Sequence, residues 1–169
     1  MLKKEVLETL DSTPEKIRRE IASLLPRHLK ARPAPNKWSV QEILAHLDDV
    51  EELGMRARVV AMIEEDEPLL LPFDQEKRAT EQKYRQRNPQ SSLDHLTRQR
   101  KANVKWLHTL KPAQLRRKGH HELAGEITAE EMIHEWAFHD LGHLKQILEV
   151  KRYALWPKMG NMRQFYKLE

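Results

Sequence analysis

The chain has 169 residues, 33% of them charged and 39% hydrophobic, with 5 Gly, no Cys and a formal net charge of +4. That length suits one packed domain, 1–169, and the scarcity of glycine suits helices better than a sandwich of strands. Without a thiol, the chain can form no disulfide, no thiolate metal site and no cysteine nucleophile.

The opening "MLKKEVLETLDS" alternates charge with leucine and does not read as a signal peptide. No apolar run approaches the roughly 20 residues that a bilayer needs, "LLL" at 69–71 included. Most Lys and Arg are interleaved with Glu, Asp and Gln, as in "KRATEQKYRQR" and "LTRQRKANVK", which describes solvated helix faces. The clustered basic patch of a nucleic-acid surface is not there; "QLRRKGHH" and "MRQFYKLE" are the nearest to one, and both are short. A cytoplasmic location is expected, with no membrane and no nucleic-acid partner.

The first long helix is expected to begin at "DSTPEKIRREIASLL", with Thr13 as N-cap and Pro14 at the first helical position. Ile17, Ile21, Leu24 and Leu25 recur at three- and four-residue steps and give it one buried stripe. After the turn "ARPAPNK", a second helix opens at Ser39. Ser39 and Glu42 form a capping box, and Trp38 with Ile43 makes a hydrophobic staple across it. A stripe then runs through Ile43, Leu47, Val50, Gly54, Ala57 and Ala61. At about 100° per residue, His46 lies roughly 60° from the centre of that stripe, on the core side.

A proline-bearing connection from Asp66 to about Ser91 follows, with a short helix expected at "QEKRATEQKY". The third long helix, capped by Ser91 or Ser92, uses Leu93, Leu96, Val104, Leu107 and Leu110. "KPAQLRRKGHHELAGE" reads as a connection. The fourth helix has a second capping box, Thr128 with Glu131, and a second staple, Ile127 with Met132, and runs to about Ala154. Four such helices make an all-α four-helix bundle. The long crossover between helices two and three frees those two from being antiparallel, so an up-down-down-up order is expected. Trp106, Trp136 and the helix stripes supply the core.

In the fourth helix, "HEWAFHDLGHLKQI" places two histidines where apolar residues would be expected. Met132, His139, His143, Ile147 and Val150 all lie within about 60° of Trp136 on the helical wheel. An i, i+4 pair stacks two imidazoles one turn apart, so that two ring nitrogens can meet one metal ion. His46, on the inner side of helix two, can supply a third. Three neutral imidazoles with open positions are the pattern of a catalytic metal site. Against this stands a plainer reading, because nine histidines give about half an i, i+4 pair by chance and an inward histidine is more often a hydrogen-bonded core residue.

"NKWSVQEILAHLDDVE", followed much later by "LAGEITAEEMIHEWAFHDLGHLKQI", resembles the DinB-like superfamily, which includes YfiT-like metal-dependent hydrolases and thiol S-transferases. The first segment is similar to that family's W-S-x-x-E-I-x-x-H-L and the second to its G-x-x-T … H-D-x-x-H-x-x-Q-I. The likeness extends from about Pro33 to Arg152. It implies a four-helix bundle of up-down-down-up topology, often a homodimer, that holds one divalent metal, zinc or nickel, on His46, His139 and His143. It also implies a small-molecule substrate: members that transfer bacillithiol or mycothiol are thought to bind the thiol to the metal. Since a coordinated thiol is deprotonated and this chain has no Cys, the nucleophile would be a cosubstrate. Hydrolysis by a metal-activated water is the close second, and a non-catalytic metal-binding stress protein the third.

Among the other polar residues, His121, with His120, is a candidate general base from the loop before helix four, although a solvated loop histidine is the commoner case. His134 lies about 160° from Trp136, off the ligand face, and His28, His95 and His108 are read as surface. Asp140, about 40° from Trp136, is expected to be buried and ion-paired with Arg98 or Arg100, with a bracing role toward a ligand imidazole as the alternative. Glu42 and Glu135 are other possible braces, with exposed helix carboxylates as the default. The basic, aromatic "KRYALWPKMGNMRQFYKLE" either covers the bundle end or packs on a second subunit.

Overall fold

The computed structural model describes Leu2 and residues 4–168. Four long helical rods form a bundle. They are α1 (Lys4–Ile21), α3 (Val40–Val50) continued by a π-helical turn (Glu51–Arg56) and α4 (Ala57–Glu64), α6 (Pro89–Leu107), and α8 (Ala129–Leu155). Short helices α2 (Pro26–Lys30), α5 (Gln75–Glu81) and α7 (Pro112–Leu115) lie in the connections, and a 3₁₀ segment, Trp156–Phe165, follows α8. No described helix is long and apolar enough to cross a membrane.

Contacts between the rods fix their directions. Asp48 meets His95 and Glu51 meets Arg100, so the α3 rod and α6 run parallel. Arg18 pairs with Asp94 while the Leu10 carbonyl accepts from Arg100, so α1 and α6 are antiparallel. His46 faces His139 and Glu51 takes the Trp136 indole, so the α3 rod and α8 are antiparallel. The order is up-down-down-up, with the long crossover between the second and third rods that the sequence implies.

α1 begins well before the expected start at Thr13. Its Pro14 sits inside the helix, and the Thr13 hydroxyl donates to the Thr9 carbonyl at 2.7 Å instead of capping. A proline in a helix leaves the carbonyl four residues earlier without its amide donor. Here that carbonyl belongs to Leu10, and Arg100 Nη1 donates to it at 2.7 Å. The other starts depend on caps. Ser39 with Glu42 and Thr128 with Glu131 form the expected boxes. α6, however, is capped by Asn88, whose side chain accepts from the Ser91 amide at 3.0 Å with Pro89 at the first helical position, while Ser92 is buried. Asn before Pro is a stronger start signal than the serines that follow it.

The expected stripe of helix two holds through Val50 and Gly54 and fails after them. The π-turn inserts an extra residue, so Glu51, Met55, Val59 and Met62 become the buried set, while Ala57 is exposed and Ala61 only partly covered. Gly54 is needed in this turn, because a Cβ there would stand 2.5 Å from Val50 Cγ2. The connection before α8 is also more ordered than expected. Strands β2 (Lys118–His121) and β3 (Gly125–Thr128) form a hairpin, and β1 (Leu69–Leu70) from the crossover pairs parallel to β2.

The core has two apolar parts. One gathers Leu10, Met55, Val59, Met62, Ile133 and Trp136; the other gathers Ile17, Ile43, Leu47, Leu93, Leu96 and Ile147. Between them lies a buried polar layer. Arg100 donates to Glu51 at 2.8 and 2.7 Å and to Asp140 at 2.5 and 3.2 Å, Asn103 donates to Glu51 at 2.9 Å, and Trp136 Nε1 donates to Glu51 at 3.0 Å. Burial opposes the charge on Arg100, but Asp140 and Glu51 more than offset it and raise its pKa. Asp140 is thus ion-paired with Arg100, one of the two arginines foreseen.

Candidate metal centre

His46 projects from the middle of α3, one turn before the π-turn, and His139 and His143 project from α8, one turn apart and facing it. Their Nε2 atoms converge. His139 Nε2 lies 3.1 Å from His46 Nε2 and 3.1 Å from His143 Nε2, and the three nitrogens lie within 4.8 Å of one another. A neutral imidazole carries a single N–H, so His139 Nε2 can donate to one of its two neighbours at most. A cation between the rings satisfies all three lone pairs. Tetrahedral zinc with Zn–N of about 2.0–2.1 Å sets its nitrogens roughly 3.3 Å apart, close to the spacing found here.

Electrostatics favours the neutral, ligating form. Burial, then the charge each neighbouring ring would carry, pushes the His46 pKa down to about 2. Burial does the same for His139, to about 3, helped by His143, Arg100 and Arg58. His143 is lowered by burial to about 4, with Gln146 opposing. The side-chain oxygen of Gln146 accepts from His143 Nδ1 at 2.9 Å. An amide oxygen only accepts, so the His143 proton is held on Nδ1 and the lone pair on Nε2 points into the cluster. The Nδ1 atoms of His46 and His139 are buried with no partner among the described residues.

Aromatic rings wall the cluster. Trp38, the staple residue, stacks on the His143 ring at 6.4 Å and 10° and tilts against His46 at 5.1 Å, while Phe73 meets the His46 ring edge-on at 6.0 Å. From His143 a cleft of about 370 Å³ opens between α8 and the crossover, its walls including Trp38, Gln75, Glu76, Gly142, Gln146 and Glu149. The crossover is held in place by two aspartates that follow His46. Asp49 takes Arg78 at 2.9 Å, Arg87 at 2.7 Å and the Tyr84 hydroxyl at 3.0 Å, and Asp48 takes Arg87 at 2.5 Å and His95 at 2.6 Å.

The remaining candidates have other partners. His121 lies in β2, and its Nδ1 accepts from the Leu123 and Ala124 amides of the hairpin turn, both at 3.2 Å. His95 is exposed, as read from the sequence, and pairs with the buried Asp48 at 2.6 Å. Glu42 is buried and caps α3 while accepting from Arg32 at 3.0 Å, and Glu135 is exposed. Sequence reasoning missed Trp38, Phe73 and Gln146 as parts of the site. Trp38 and Gln146 stand inside the two motifs that carry the ligand histidines, and their spacing to those histidines was the available signal.

A model of the DinB superfamily matches residues 9–147. The chain belongs to the DinB superfamily. Among solved structures, YfiT from Bacillus subtilis, described as a probable metal-dependent hydrolase with an unusual four-helix bundle topology, superposes with a TM-score of 0.82 at 22% identity, covering 92% of this chain and 91% of that one. The likeness establishes the four-helix fold. No curated protein compared with the chain matches it.

Proposed function

We propose that this DinB-superfamily protein is a metal-dependent enzyme. In this reading a divalent transition metal, zinc or nickel, sits on His46, His139 and His143 and activates a low-molecular-weight thiol for attack on a small electrophile. The observation that carries it is the convergence of three neutral imidazoles at the end of an open cleft. The metal, when bound, supplies a Lewis acid that favours the thiolate form of a thiol. Gln146 fixes the His143 tautomer, Trp38 and Phe73 shield the rings from water on two sides, and the cleft admits the cosubstrate. The chain has no Cys to compete as nucleophile or ligand.

The test uses zinc- and nickel-loaded protein, a panel of small thiols, and 1-chloro-2,4-dinitrobenzene as electrophile. The sulfur–carbon bond forms as chloride leaves and the thiol proton passes to solvent. Thiol-dependent turnover should fall at least about 100-fold in the His46→Ala/His139→Ala/His143→Ala variant; full activity in that variant would remove the metal from the mechanism. Hydrolysis is the second reading, favoured by the description of the YfiT structure as a probable hydrolase. Ester cleavage without added thiol distinguishes it. A purely structural ion fits less well, because structural zinc sites are closed by four protein ligands and this cluster has three, beside a cleft. A cytoplasmic homodimer is the proposed setting. An exposed apolar stripe of Phe138, Leu141, Leu148 and Leu155 along α8 supports pairing, and sedimentation as a monomer at micromolar concentration would contradict it.

A further inference from the structure

Two stretches of the chain contain no Asp or Glu: residues 21–41, and residues 150–168, which lie between Glu149 and Glu169. At the chain's own frequency of 26 acidic residues in 169, forty residues would carry about six. The first stretch holds Arg27, Lys30, Arg32 and Lys37; the second holds Lys151, Arg152, Lys158, Arg163 and Lys167. The fold brings the two together. Leu10 and Asp140 share Arg100, and Glu20 takes Lys151 at 2.6 Å, so α1 and α8 run parallel and the segments that follow them share one end of the bundle. Pro33, Asn36 and Lys37 line one cleft with Tyr153.

The carboxylates that border these stretches are already taken. Glu20 pairs with Lys151, Glu42 with Arg32 and Glu149 with Arg152. Six exposed cations, Arg27, Lys30, Lys37, Lys158, Arg163 and Lys167, have no carboxylate partner among the described residues. Against them stand Glu76, which shares clefts with Lys37 and Arg32, and Glu169, which lies outside the described residues. Apolar side chains are set among these charges. The segment Trp156–Phe165 buries none of its residues, so it does not close the bundle end. Leu25, Met162, Phe165 and Tyr166 are exposed, Phe165 by 68%.

Cations interleaved with exposed aromatic and aliphatic groups suit an anionic lipid surface, which takes up both. A nucleic-acid strand would stack on the aromatic rings but leave Leu25 and Met162 in water. A second copy presenting the same end would set like charges against one another. The expectation of no membrane rests on the lack of a spanning run and of a signal peptide, and docking on a surface needs neither. We propose that this end of the molecule docks on an anionic lipid bilayer. The cations meet lipid phosphates, while Met162, Phe165 and Tyr166 enter the boundary between headgroups and acyl chains. Docking of this kind needs no metal on the histidines.

Co-sedimentation of the full chain with vesicles tests it, using phosphatidylcholine alone or with about 30% phosphatidylglycerol. Binding should be at least about tenfold tighter to the anionic vesicles and should weaken as salt rises from about 0.05 to 0.5 M. Lys158→Gln/Arg163→Gln/Lys167→Gln should abolish that preference. Arg98→Gln/Lys101→Gln/Lys105→Gln, which removes the same charge from exposed positions of α6, should bind as the wild type does. Phe165→Ser/Tyr166→Ser should weaken binding to anionic vesicles at least about tenfold with an unchanged melting temperature, because both side chains are exposed. No binding, or equal binding to the two vesicles, would overturn the proposal. So would an equal loss in both charge variants, which is the general attraction of a basic chain, or full binding by the Phe165→Ser/Tyr166→Ser variant. Tighter binding to polyuridylate than to anionic vesicles, lost in Lys158→Gln/Arg163→Gln/Lys167→Gln, would overturn it in favour of nucleic acid.

Discussion

At the scale of single residues, the account turns on three histidines kept neutral by burial. Their pKa values of about 2, 3 and 4 lie below the value near 6.5 that an unfolded chain would show. Between those limits the unfolded chain binds more protons than the folded one, so stability rises with pH. The contribution is complete above about pH 6.5 and is lost as pH falls toward 4 and below. The melting temperature of metal-free protein should therefore be flat from pH 8 to 7 and fall steadily toward pH 5, with a flatter profile in the triple-alanine variant. A wild-type apoprotein as stable at pH 5 as at pH 7.5 would contradict the burial argument. Among the described residues, Gln146 is the one side chain that fixes a ligand tautomer by a hydrogen bond. Gln146→Leu should weaken metal binding about 10- to 100-fold, measured by competition with a chelator, with little change in apoprotein melting. The ligand positions were legible from the i, i+4 spacing, the place of His46 on its stripe and the two motifs. The walls of the site were not, because Phe73 reaches His46 from the crossover and no helical period links the two.

At the scale of elements, caps were readable and phase was not. Ser39 with Glu42 and Thr128 with Glu131 announce their helices because a cap is a local event among four residues. The π-turn at Glu51–Arg56 gives no such local sign, and once the helix gains a residue, a constant 100° step places Ala57 inward where the chain buries Met55 and Val59. Pro14 misled for a related reason. It reads as a start, but the carbonyl it leaves unbonded is taken by Arg100 from another helix, a partner ninety residues away. Gly54 ties the π-turn to its packing. Gly54→Ala should cost about 1–3 kcal/mol in urea unfolding, because the new methyl is forced against Val50. A neutral result would mean that the turn relaxes into regular helix without loss.

At the scale of the molecule, the buried layer around Arg100 joins all four rods. It takes the Leu10 carbonyl of α1, Glu51 of the second rod and Asp140 of α8, and it sits beside the histidines. Asp140→Ala should cost about 3 kcal/mol of stability, since it leaves a buried guanidinium short of a partner, while metal stoichiometry stays unchanged. Loss of metal at an unchanged melting temperature would instead make Asp140 a brace for His139. The bundle and its order were legible from four periodic segments, two boxes and one long crossover. The small sheet was not, since its strands are two to four residues long and β1 pairs with β2 across about fifty residues of chain. The central claim, a three-histidine metal centre joining the second rod to α8, is tested most directly by metal content. Purified, tag-free protein and the His46→Ala/His139→Ala/His143→Ala variant would be soaked with zinc and with nickel, desalted, and measured by mass spectrometry. About one equivalent per chain in the wild type and none in the variant is the predicted result. Equal metal in both, or none in either, would contradict it and make these three histidines core residues of the bundle.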